Sequence, residues 1–258
     1  MSLDAFSAVI LLPAFLAGLL VLATHVPLGM QVLSRGIVFI DLAIAQIASL
    51  GVIGADRFGF EPDGWVAQAA AIAAALLGAG LLTWTEKRWP DEQEALIGVL
   101  FALAACGGMI LVANSPHGGE HLQDLLAGQI LWASYAHLVP VAILTAVILL
   151  LWFRFGERLG RFGFYGVFAF AVTASVQLVG VYLVFASLII PALATRGYAR
   201  KRLGVAYAIG AAAYAVGLGL STLFDLPAGP VIVWTLAAAG IVVHRFGAPV
   251  AAASDAVS

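Results

Sequence analysis

The residue best suited to act on a charged ligand is Asp41. It sits inside the apolar run IVFIDLAIAQIASLG, and the nearest basic residue is Arg35. An ionised carboxylate at the centre of a bilayer costs at least about 2.5–3.5 kcal/mol. It must therefore face the protein interior, pair with an opposite charge or bind a cation. Alternatively it lies at interface depth: Arg35 is six residues away, about 9 Å along a helix, so the side chain could reach the headgroups. Gln46 shares the segment but lies five positions on, about 140° round a helix from Asp41. The two form no clean common face, and glutamine alone also serves to hold helices together. A second candidate is the polar stretch SPHGGEH, where His117, Glu120 and His121 are of the types that bind zinc and related ions. In a helix the two histidines share a face with Glu120 beside them, but the paired glycines oppose a rigid helix. Gln177 and Tyr182 flank an expected turn and could line a cavity. Other polar residues in apolar stretches, His25, His137, Thr173, Ser175 and Ser187 among them, read as hydrogen-bonded packing residues.

These residues need elements to hold them, and the composition says which. Hydrophobic residues make up 63% of the 258 and charged residues 10%, against about 25% charged in a soluble domain. So little charge cannot coat a water-facing surface, and the outer solvent must be lipid. A net charge of −2 gives nucleic acid no purchase. The single cysteine, Cys106, excludes a disulfide within the chain. No phosphate-loop, zinc-protease, serine-hydrolase or paired-cysteine motif is present.

Apolar stretches of spanning length predict an all-α, polytopic transmembrane bundle of eight to nine spans. They run from about Phe6 to Leu33, Gly36 to Gly54, Trp65 to Thr85, Ala95 to Ala113, Ala136 to Phe153, Phe162 to Thr195, Leu203 to Phe224 and Val231 to Val243. Pro13 and Pro27 predict a kink or break in the first. Leu125 to Ser134 is only half-apolar and reads as interfacial or re-entrant. The run from Phe162 to Thr195 is 34 residues, about 51 Å as one helix against a hydrocarbon core of about 30 Å. It spans twice, turning near Gln177 to Gly180, or spans once and re-enters. Nine crossings with the N-terminus outside and the C-terminus cytoplasmic put Arg35, Lys87, Arg88, Arg154, Arg158, Arg161, Arg196, Arg200, Lys201, Arg202 and Arg245 on the cytoplasmic side, leaving only Arg57 outside. Residues 1–247 read as one membrane domain and 248–258 as a disordered cytoplasmic tail.

Four segments, in order, resemble the permease subunits of bacterial zinc and manganese ABC importers. PLGMQVLSRGIVFIDLAIAQIASLG is similar to that family's second-helix region, and EALIGVLFALAACGGMILVANS with DLLAGQILWAS to its fourth span and the short segment after it. QLVGVYLVFASLIIPALATR resembles its glycine-to-proline-alanine stretch, and GLGLSTLFDLPAGPVIV its closing loop and last span. The resemblance implies two permease chains pairing around a pathway in the bacterial cytoplasmic membrane. It also implies a separate cytoplasmic ABC ATPase that binds the ATP, an extracytoplasmic metal-binding protein, a divalent ion as cargo and no cofactor in this chain. It places the ATPase contact at Pro191, Ala192, Ala194, Thr195 and Arg196, with Arg200, Lys201 and Arg202 nearby. The family's second helix carries Gly-Asp and a His four residues after the Asp. Matched from Arg35-Gly36 to Gly51, Leu42 falls at that Asp and Gln46 at that His, with Asp41 one position early. The acidic FD motif common ahead of the QLVG stretch is missing. Three other readings stay open: a chelate or other cargo, a proton-coupled carrier using Asp41, and a membrane enzyme built on the outer histidines.

Overall fold

The computed structural model of the protein describes residues 3–62, 64–112, 128, 130–156, 158–198 and 201–246. Among them every regular element is helical: α1 (Leu3–Arg35), α2 (Ile40–Arg57), α3 (Trp65–Arg88), α4 (Gln93–Val112), α5 (Tyr135–Phe155), α6 (Gly160–Val179), α7 (Val181–Ala194), α8 (Arg202–Phe224) and α9 (Ala228–Phe246), with 3-10 turns at Pro90–Glu92 and Ile130–Trp132. Seven of them are long and apolar enough to cross a membrane. The sequence expectation of an all-helical bundle holds, with one local difference. Pro13 and Pro27 lie within α1, which continues past both as one helical element. Packing against several neighbours carries α1 through positions that would end an isolated helix.

Small residues set how closely the helices meet. On α3, Ala67, Ala71, Ala75 and Ala79 recur every fourth position and are all buried, forming one stripe. That stripe faces α2, whose Gly51 lies against the backbone of Ala70 and Ala71. Without a water-driven hydrophobic force between helices in lipid, such close backbone approach supplies the packing energy. Gly29 does the same for α1: a Cβ there would collide with the Leu188 carbonyl of α7. The long apolar run breaks where expected. Gly180 lies between α6 and α7 at φ +82° and ψ 162°, a conformation side-chain-bearing residues avoid.

The contacts also fix which helix ends lie together. Gly18 of α1 faces Tyr214, Leu22 faces Gly210 and Gly29 faces Leu188, so α8 runs antiparallel to α1 and α7 ends beside the C-terminal half of α1. Arg35 stacks over the ring of Phe164 at 4.0 Å, and Trp152 packs 6.1 Å from that ring. The C-terminal ends of α1, α3 and α5 thus meet the N-terminal ends of α2, α4 and α6.

Candidate functional site

At that shared end the first turns of α2 and α4 bring two carboxylates into the bundle. Glu94 Oε1 accepts from the backbone N–H of Phe39 at 3.3 Å, two residues before Asp41. Its second oxygen is buried with no partner. Asp41 is 1% exposed, and neither of its oxygens has a hydrogen-bond partner. Arg35, the basic residue closest in sequence, is turned away onto Phe164. Three buried carboxylate oxygens therefore sit at the ends of two packed helices without a formed hydrogen bond, and the donors beside them are backbone N–H groups of the helix starts. When ionised such groups are acceptors only, and leaving them bare in a low-dielectric interior is costly. Chemically, the arrangement suits a cation.

Much of the rest of this end is hydrogen-bonded, although Glu86 Oε2 and Arg202 Nε are also buried without a partner. Thr85 Oγ1 donates to Gln93 Oε1 at 2.9 Å, and Gln93 Nε2 donates to the Leu82 carbonyl at 3.1 Å and to the Tyr165 hydroxyl at 3.2 Å. Arg161 reaches Glu86 at 3.4 Å. Deeper in α1, the Nδ1 of His25 lies 3.0 Å from the Val21 carbonyl. A ring that donates there leaves Nε2 as a bare lone pair, and that atom is buried without a partner.

The other sequence candidates are distributed. Gln46 is buried on α2, and the five-residue offset from Asp41 keeps the two on different faces. Leu42, at the family's aspartate position, is only half-buried, so Asp41 is the residue that faces inward. Gln177 lines a cavity of about 660 Å³ with Gln68, His137 and Thr173, at the other end of α6. Tyr182 is 54% exposed and lies outside that lining. Pro191, Ala192, Ala194 and Thr195 are buried, whereas Arg196 and Lys201 are exposed, and Arg202 donates to the Ala192 carbonyl at 3.2 Å. His117, Glu120, His121, Arg200 and the 248–258 tail lie outside the described residues. Among the described residues no group of three His, Cys, Asp or Glu could hold a metal. Glu94 and Gln93 escaped the sequence reading. The signal was available in the Pro90-Asp91-Glu92-Gln93-Glu94 run, where polar residues continue past the proline turn into the first turn of a span.

The pattern of the ABC 3 transport family matches residues 7–164 and 157–246, almost the whole chain. The chain belongs to the ABC 3 transport family. This ABC 3 chain is 24% identical over 246 residues to the Haemophilus influenzae high-affinity zinc uptake system membrane protein ZnuB, covering 87% of this chain and 92% of ZnuB. It is 27% identical over 242 residues to an uncharacterised membrane protein of Synechocystis, covering 85% and 84%. Its fold matches PsaBC from Streptococcus pneumoniae, solved in complex with Fab, at a TM-score of 0.71 and 22% identity, covering 91% of this chain and 89% of that one. It is a multi-pass protein of the bacterial inner membrane and a transport-family permease.

Proposed function

We propose that this ABC 3 chain is the membrane permease of an importer for a divalent metal ion, zinc or manganese, driven by a separate ATPase. The observation that carries the reading is the buried, unpartnered carboxylate of Asp41 in a chain of this family. Asp41, with Glu94 beside it, is a station for the cation on its way through, and the ion is cargo rather than a resident cofactor. The shift of the carboxylate from position 42 to 41 keeps an acid facing inward. The replacement of the family histidine by Gln46 weakens the ligand set, since a neutral amide oxygen binds transition metals less well than imidazole.

The charges at the helix ends support an orientation. Arg35, Lys87, Arg88, Arg154, Arg158, Arg161, Arg196, Lys201, Arg202 and Arg245 all lie in or next to the helix ends at the Asp41 end, and Arg57 lies at the other. Positive charge collects on the cytoplasmic side. That end therefore faces the cytoplasm, the N-terminus lies outside, and the nine described helices are nine crossings, the seven of spanning length together with α2 and the 14-residue α7. The ATPase docks there, and the exposed Arg196 and Lys201 are its contacts, with Arg200 of the same loop. Pro191, Ala192, Ala194 and Thr195 act from behind, as the buried support of that loop. A second copy of the chain completes the pathway, and a metal-binding protein delivers the ion at the opposite end.

Uptake into proteoliposomes tests this, with the chain reconstituted beside its ATPase and binding protein. Zinc and manganese entry should require ATP, and Asp41→Asn should cut it at least tenfold while ATP hydrolysis continues. Uptake that proceeds without the ATPase on a proton gradient would make the chain a secondary carrier instead. Unchanged uptake in Asp41→Asn would remove Asp41 from the pathway.

A further inference from the structure

A second site lies at the same end, away from the carboxylates. The last turns of α1 and α5, the turn after α5 and the start of α6 enclose a pocket of about 540 Å³. Its polar lining is Arg35, Arg154, Arg158 and Gln31, and its aromatic lining includes Trp152 and Phe164. Among the described residues the lining carries only donors at its polar positions, apart from the glutamine oxygen; Glu157, between Gly156 and Arg158 in the chain, lies outside them. Among the described residues the recorded ion pair is Arg161 with Glu86, which involves none of these three arginines. The Arg35 guanidinium is held in place by the Phe164 ring at 4.0 Å, so one of the three is pre-positioned at little entropic cost.

The rim indicates what kind of anion enters. Phe153, Phe155 and Phe162 are exposed apolar side chains at this mouth or beside it, and α5 presents Val139, Ile143, Val147 and Leu150 outward along its length. A protein of the inner membrane turns such a face to acyl chains. Trp152 sits where its ring bridges the apolar and polar zones, as interfacial tryptophans do. The pocket thus joins a cationic floor to a lipid-facing wall. A free phosphate would use only the floor, whereas an anionic phospholipid uses both.

We propose that this pocket binds the phosphate of an anionic phospholipid, with Arg35, Arg154 and Arg158 on the headgroup and Phe153 and Phe155 against the chains. Basic pockets between membrane helices take such headgroups by the same chemistry, and guanidinium matches phosphate through paired N–H donors. The inference does not depend on what the chain transports.

Native mass spectrometry of the purified chain, titrated with phosphatidylglycerol or phosphatidylcholine, tests it. Phosphatidylglycerol should be retained about tenfold more tightly, and Arg154→Gln with Arg158→Gln should abolish that preference. Both arginines are exposed and Arg35 keeps its ring contact, so the fold is preserved. The charge-keeping pair Arg154→Lys and Arg158→Lys should retain most of the preference. Arg57→Gln, at the other end, should retain all of it. Equal retention of the two lipids overturns the proposal, as does an equal loss in Arg57→Gln. Displacement of the lipid by millimolar glycerol phosphate would also overturn it, by assigning the site to a soluble phosphate.

Discussion

Gln93 and Asp41 occupy matching places and have opposite surroundings. Each lies in the first turn of a helix at the same end of the bundle, and each is buried. Gln93 fills three of its four hydrogen-bonding positions, tying α4 to α3 and α6. Asp41 fills none through its side chain. A buried amide with its partners in place rigidifies a bundle. A buried acid left bare weakens it, and such a residue persists where something other than stability requires it. The difference is what makes Asp41, and not Gln93, the candidate binding group of this pair.

The comparison can be broken by substitution, taking stability and transport as separate readouts. Gln93→Leu should destabilise most, by about 2–4 kcal/mol, because it strips partners from Thr85, Leu82 and Tyr165 together; thermal unfolding in detergent reads this as a clear fall in Tm. Tyr165→Phe should cost about 1 kcal/mol, since it removes one acceptor and leaves the amide two of its bonds. In Gln93→Leu the added Tyr165→Phe change should cost almost nothing, which a double-mutant cycle would register. Asp41→Asn should have the smallest effect on stability, leaving Tm unchanged or raised, because it replaces an unpartnered buried acid with a neutral group of the same shape. The same substitution should have the largest effect on uptake. If Asp41→Asn unfolds the protein as readily as Gln93→Leu, both residues are braces and the contrast fails.

Much of this was legible in the sequence because lipid imposes a simple code. Spans show as apolar runs, and their ends as Arg, Lys, Pro and Gly. Thus α8 begins at Arg202, where the sequence predicts Leu203, and the break at Gly180 falls inside the expected Gln177–Gly180 window. Asp41 stood out because a lone acid in IVFIDLAIA is costly wherever it points. What the one-dimensional pattern could not supply was pairing across helices. Glu94 is 53 positions from Asp41 in the chain, and only the meeting of α2 with α4 makes them neighbours. Nor could it show that Arg35 would leave Asp41 for the ring of Phe164, a choice between two partners that both suit a guanidinium. The prolines of α1 do not break the helix, for a related reason. Helix-breaking tendency is a local property, and α1, packed along α7 and α8, continues past both prolines without a break.

The break at Gly180 has a consequence for biogenesis. From Phe162 to Thr195 the chain carries no charged residue, so the boundary between α6 and α7 is written in backbone conformation and not in composition. Insertion machinery sorts an emerging chain by hydrophobicity and meets no signal there to separate the two helices. Their separation must then be supplied by the fold itself, through the conformation of Gly180 and through packing such as that of Leu188 on Gly29 of α1.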